Sequence, residues 1–374
     1  MNENAKTAAG MSSVNMDKST DGMNPTAGND RNDMWTDGVM GVLIGDALGN
    51  PVQFMSRSSV LKRGPVKGME SGGVFNMPAG SWTDDGSMTL AALDSLTLNR
   101  GLDYNDIMKR FVLWNSHGAY TPFGKAYDQG GTCMAAISRF EKKGRWDRCG
   151  EQGEYANGNG GLMRIMPVCL YAAFMESEGS FNLFEAVMAV QRGTLLTHGH
   201  LRACTASGIY FFLCREILRF RGFTGNSGKG LDAFPVRPTG HSLKDLLQRG
   251  MDEAVRFYSE HNLDDEFSHF SRMKDLSSFA AVPAEKIRSS GYVVHTLEAA
   301  VWCLITTGSL EESLLKAVNL GDDADTVGAV TGGLAGLFYG YDKVPAEWKQ
   351  AMQKRAWLEN MCRKAADTFS PENK

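Results

Sequence analysis

The sequence predicts an all-α protein organised as one compact domain. From Met34 onward most segments place apolar residues at i, i+3, i+4 and i+7, the period of a helix with one buried face, and strand-like alternation is nearly absent. The chain's 374 residues, 43% hydrophobic, are enough for a large buried core, and no composition shift after Met34 divides the body in two, so it is read as one domain.

Residues 1–33 hold no aromatic residue and hardly any branched aliphatic one. Such a stretch cannot bury enough apolar surface to offset its ordering entropy, so it is expected to be a disordered polar arm ahead of a domain spanning 34–370. The helical period then runs through GVMGVLIGDALG, DGSMTLAALDSL, YNDIMKRFVLWN, GGTCMAAISRFEKK and LMRIMPVCLYAAFM. It continues in FEAVMAVQRGTLLTH, LRACTASGIYFFLCREILRF, LKDLLQRGMDEAVRFY, GYVVHTLEAAVWCLITT, LEESLLKAVNL, DTVGAVTGGLAGLFYG and the C-terminal AEWKQAMQKRAWLENMCRKAADTF. Glycine-rich connections separate these helices at 56–81, 142–161 and 222–240, and loops this long in a compact domain are usually functional or mobile. Glycines 328, 332, 336 and 340 recur at every fourth position, which marks one bare helical face against which another core helix can pack closely. The apolar stretch around them is too short for a membrane span.

Several function classes are excluded by composition. The net charge is -4 and no dense Lys/Arg block is present, so no nucleic-acid partner is expected. No apolar run reaches the roughly 18 residues of a span, and the N-terminus lacks a basic stretch followed by an apolar one, so neither membrane nor secretion is expected. Seven scattered cysteines, none in C-x-x-C spacing and most in apolar surroundings, read as reduced core residues of a cytoplasmic protein.

Two short stretches carry the chemistry. NLGDDADTVG (319–328) gathers Asp322, Asp323, Asp325 and Thr326, and SWTDDGSM (81–88) gathers Thr83, Asp84 and Asp85. Each precedes a helix, where one Asp or Thr is enough to cap the free N–H groups. Carboxylates this dense repel one another unless they are solvated, cap a helix or share a cation. Packed face to face, the two groups offer hard oxygen ligands of the kind Mg²⁺ or Mn²⁺ prefers, enough for a pair of ions roughly 3.5–4 Å apart. No Cys or His accompanies them, which disfavours zinc.

Together with GVLIGDALGNPVQF (41–54), AYDQGGTC (126–133), NGNGGLMRIMPV (157–168), LLTHGH (195–200), SGYVVHTLEAAVW (290–302) and LGDDADTVGAVTGGLAGLFYG (320–340), these stretches resemble the ADP-ribosylglycohydrolase family, in its motif order over residues 38 to 340. The resemblance implies a compact all-α fold around a binuclear metal site, with two Mg²⁺ or Mn²⁺ ions on Thr83, Asp84, Asp85, Asp323, Asp325 and Thr326. It implies hydrolysis of the bond between ADP-ribose and a protein side chain, arginine first among them, with Asp128 and the metal-facing Asp85 as catalytic residues. Asn157, Gly158, Asn159, Gly160, Gly161, Leu162, Met163 and Arg164 match the loop that holds the diphosphate and distal ribose, and His198, Gly291 and Tyr292 match positions around the nucleotide. The family often has Glu at Gln53 and Ser at Gly161; the first departure removes a metal-facing or gating carboxylate, the second a hydroxyl. Relatives of this fold can act as antidotes to ADP-ribosyltransferases. The expected partner is thus an ADP-ribosylated protein; residues 1–33 are read either as a passive tail or as an arm that grips a cognate transferase toxin, and the alternative reading of the whole chain is a binding module that neutralises such a toxin without turnover.

Simpler roles compete at each position. Asp128 could cap the helix starting near Gly131, Asp46 could cap or orient a turn, Asn157 and Asn159 could occupy left-handed turns, and His198, His200 and Tyr292 could be core.

Overall fold

The computed structural model describes residues 30–223 and 242–370. Sixteen α-helices are described: α1 (Asp30–Gly49), α2 (Arg57–Arg63), α3 (Asp84–Asn99), α4 (Tyr104–His117), α5 (Gly131–Lys143), α6 (Met166–Ser177), α7 (Leu183–Leu195), α8 (Leu201–Phe220), α9 (Leu243–Glu260), α10 (Asp264–Phe267), α11 (Leu276–Ala280), α12 (Val293–Ile305), α13 (Leu310–Val318), α14 (Ala324–Tyr339), α15 (Ala346–Ala351) and α16 (Arg355–Thr368). Among the described residues the only β-type pairings are three isolated bridges, and no helix is long and apolar enough to cross a membrane. α1 starts at Asp30, within the stretch read as the polar arm; residues 1–29, and most of the 222–240 connection, lie outside the described residues.

At the centre α1 and α14 pack backbone to backbone. A Cβ on Gly45 would sit 1.9 Å from the Gly328 carbonyl oxygen, one on Gly41 2.1 Å from that of Gly332, and one on Gly336 2.1 Å from that of Asp37. Real Cβ atoms never approach so closely, so the bare face of α14 is met by a second bare face on α1. Gly340, the fourth residue of the glycine series, does not join this face. It ends α14 with φ +94°.

Around this pair one apolar core joins α1, α6, α8, α9, α12 and α14 through buried residues such as Trp35, Phe211, Tyr210 and Leu297. A second cluster beneath α3, α4 and α5 is built on Met88, Phe111, Trp114 and Ile137. All seven cysteines are buried and free.

Candidate functional site

Because α1 and α14 run so close, the start of α14, the start of α3 and the C-terminal end of α1 meet at one point. Thr83 Oγ1 lies 3.3 Å from Asp85 Oδ2 and 3.3 Å from Asp325 Oδ2, across 242 positions of sequence. Thr326 Oγ1 lies 3.4 Å from Asp85 Oδ2. Thr83, Asp84, Asp85, Asp325 and Thr326 are buried and Asp323 is half-buried.

Capping does not account for these residues. Neither Thr83 at the N-cap of α3 nor Asp323 at the N-cap of α14 makes a side-chain cap bond. The cap of α3 comes instead from Asp46, on the last turns of α1, which accepts the Thr83 N–H with both oxygens at 2.9 Å and the Gly86 N–H at 2.8 Å. The acids are therefore free for another role, and Asp85 Oδ1 and Asp325 Oδ1 are buried without a hydrogen-bond partner. A buried carboxylate oxygen left unpaired is costly, and a cation removes the cost. Among the described residues no group of three or more His, Cys, Asp or Glu side chains is arranged to hold a metal ion; what is present is an oxygen-rich donor set with unpaired atoms on Asp85 and Asp325, the type of donor Mg²⁺ or Mn²⁺ prefers.

The electrostatics follow from this crowding. Burial, then the neighbouring carboxylates, push Asp84, Asp85 and Asp325 well above the ordinary carboxylate range. Burial raises Asp46 to about 8, against the lowering effect of its backbone donors. Burial also raises Asp128 and Asp323, which accept hydrogen bonds from Gln53 and Asn159 respectively.

Asp128 stands beside this group and does not cap α5, whose N-cap is Gly130. Its backbone is left-handed, φ +56°, and its Oδ2 accepts a 2.6 Å hydrogen bond from Gln53 Nε2. Gln53 is itself buried, with its Oε1 unpartnered. The next residue, Phe54, is 62% exposed and held at φ +63°, and its N–H donates to the Asp322 carbonyl at 2.6 Å. A bulky residue in that conformation is strained, so the turn carrying Gln53 is held in place by the α14 loop.

The glycine-rich loop closes the other side. Asn159 Nδ2 donates to Asp323 Oδ2 at 2.7 Å and to Thr296 Oγ1 at 2.9 Å, tying the loop to the acids. Its N–H bonds the Gly291 carbonyl, Val293 N–H bonds the Asn157 carbonyl, and Gly158 bridges Tyr292. Neither asparagine has a positive φ, so a left-handed turn is not the reason for them. Beneath the loop His198 is buried, and a Cβ on Gly160 would lie 2.7 Å from its ring. Burial, reinforced by the Arg164 charge, lowers His198 to about 3, so it is neutral. Thr197 Oγ1 contacts His198 Nδ1 at 2.8 Å and accepts a bond from the buried Arg164, whose guanidinium also reaches the Gly193 carbonyl.

Leu162, Met163 and Arg164 thus lie buried below the loop that the sequence assigns to ligand binding, in positions that anchor it. A serine at Gly161 would drive its Cβ to 2.5 Å from the Thr194 methyl, which explains the glycine there. His200 is structural, capping α8 through Nδ1. Gly291 is exposed and borders Asp323, and Tyr292 is half-buried with its hydroxyl 3.3 Å from Arg202.

Comparison with known proteins agrees with this architecture. A family model described as ADP-ribosylglycohydrolase matches residues 28–374. The chain is 30% identical over 334 residues to the ADP-ribosylarginine hydrolase Tri1 of Pseudomonas putida (strain GB-1), covering 88% of this chain and 76% of that protein. It is 29% identical over 334 residues to the ADP-ribosyl-[dinitrogen reductase] glycohydrolase of Rhodospirillum rubrum, covering 88% and 93%. A solved structure titled ADP-ribosylglycohydrolase-related protein complex superposes with a TM-score of 0.69 at 29% identity, over 91% of this chain and 99% of that one. With its helical frame, its paired acidic helix starts and a family match across nearly its whole length, this chain belongs to the ADP-ribosylglycohydrolase family.

Proposed function

We propose that this protein removes ADP-ribose from modified arginine side chains, with two Mg²⁺ or Mn²⁺ ions held by Thr83, Asp84, Asp85, Asp323, Asp325 and Thr326. Hydrolysis of ADP-ribosyl linkages follows from family membership, and similarity to a relative named for arginine supports that linkage. The single observation supporting the metal-dependent reading is the convergence of two acidic helix starts, with unpaired buried oxygens on Asp85 and Asp325.

In this reading the loop 157–161 binds the diphosphate and distal ribose, its glycines letting the backbone approach the ligand. Asn159 sets the distance between that loop and the acids, and His198, neutral and bonded to Thr197, supports the loop from below. Bound cations supply positive charge at the ribose and lower the pKa of water there. Asp128, held by Gln53, is the group placed to take a proton from the attacking water or to assist the departing guanidine as the anomeric carbon passes through an oxocarbenium-like state. The free, buried cysteines support a cytoplasmic setting.

The test is release of ADP-ribose from an ADP-ribosyl-arginine protein with and without Mg²⁺. Asp85→Ala and Asp323→Ala should each abolish release and weaken ion binding measured by calorimetry. Full release by both variants, or by chelator-treated protein, would overturn the metal assignment.

An immunity role toward an ADP-ribosyltransferase, with residues 1–33 as the gripping segment, rests on the polar composition of that stretch. Inhibition of a cognate transferase by the Asp85→Ala protein, lost on deleting residues 2–33, would support it, and equal binding by full-length and truncated protein would remove it.

A further inference from the structure

Beyond Tyr292 the surface opens into a cavity of about 530 Å³, lined in part by Tyr292, Arg272, Lys286, Arg288, His295 and Glu298. Its volume suits a small-molecule group rather than a protein segment. Its charge is unbalanced. Glu298 is buried and engaged with Arg272 at 2.5 Å. Lys286 and Arg288 are exposed, and among the described residues neither has an ion-pair partner. Their segment is not loose, because Arg57 donates to the carbonyls of Ala284 and Ile287 at 2.5 and 2.7 Å. Two cations are thus presented into a concave, anchored wall without an anion to meet them.

Tyr292 belongs to both sites. Its backbone bridges Gly158 of the glycine-rich loop, and its ring meets the His295 ring edge-on at 4.9 Å inside the cavity. Tyr292 thus connects the loop read as the nucleotide site to the cavity. We propose that this cavity is a phosphate subsite for the adenosine end of the ligand, so that an ADP-ribose group carrying an additional phosphate monoester on its adenosine ribose is held more tightly than the unphosphorylated one. The inference rests on the reading of loop 157–161 as the diphosphate-binding loop. A phosphate monoester fits because its dianion offers three acceptor oxygens to an ammonium and a guanidinium, whereas a single carboxylate leaves one of the cations unmatched.

Calorimetric titration of the full chain in Mg²⁺ buffer with ADP-ribose and with 2′-phospho-ADP-ribose tests this. The phosphorylated ligand should bind about tenfold more tightly, with a steeper loss of affinity as salt rises. The Lys286→Ala/Arg288→Ala double variant should bring the two affinities to within about twofold of each other. Equal affinities in the wild-type chain, or a preference that survives the double variant, would overturn the subsite. Absence of binding by either ligand would instead overturn the reading of the loop. Should circular dichroism show the double variant unfolded, Arg288→Gln gives the same readout, because its exposed side chain contributes little to packing.

Discussion

At the scale of single residues, several side chains act through a neighbour. Asp128 is set by the Gln53 donor and by a left-handed backbone, so removing only its charge isolates its chemistry. Asp128→Asn should lower kcat by about 10²–10⁴ while ADP-ribose affinity stays within a few-fold, as single-turnover kinetics and calorimetry would show. His198 makes a different prediction. Its folded pKa, lowered to about 3, lies below the ordinary imidazole value of 6.5, so the unfolded chain binds the extra proton between those values. The stability it contributes is complete above about pH 6.5 and is lost as pH falls toward 3, with a slope up to about 1.4 kcal/mol per pH unit. Urea midpoints measured from pH 7 to 5 should fall less steeply in His198→Gln than in the wild-type chain.

At the scale of elements, the α1–α14 contact positions the site. It brings Asp46 to the start of α3 and Asp325 to the same point, through backbone approaches that allow no side chain at Gly45 or Gly328. Gly45→Ala places its methyl 1.9 Å from a carbonyl oxygen, so the two helices must separate. The expected loss is about 3 kcal/mol or more, read as a drop in thermal midpoint together with loss of activity. Gly153→Ala is the matched control, because its added methyl would meet only the Glu151 carboxylate at 3.9 Å, and its midpoint should not move.

At the scale of the whole molecule, the fold carries a group of buried carboxylates, an arrangement that costs stability. Asp85→Asn removes one of them. In chelator-treated protein its thermal midpoint should rise by about 2–5 °C, and under the proposed metal assignment added Mg²⁺ should raise the midpoint of the wild-type chain and not that of the variant. A metal-free midpoint below the wild type would show that Asp85 serves mainly as a structural hydrogen-bond partner.

The helical class and the two acidic stretches were legible in the amino-acid order, because periodicity and clustering involve residues within a few positions of each other, and the scattered spacing of the seven cysteines pointed to their unpaired state. So was the close packing implied by glycines 328, 332 and 336, although not its partner. Only the tertiary structure decided that α1 supplies the opposing face, that Asp46 caps a helix starting 38 residues later, and that Gln53 holds Asp128 across 75 positions. It also decided that Leu162, Met163 and Arg164 anchor the loop from below, and that Lys286 and Arg288, in a stretch with no helical period, join Arg272 and His295 around one cavity. The physical reason is common to all of these. Local order reports which backbone conformation a segment prefers, whereas each of these contacts depends on which distant segments share a packed interior, and that is settled by shape and burial over the whole chain.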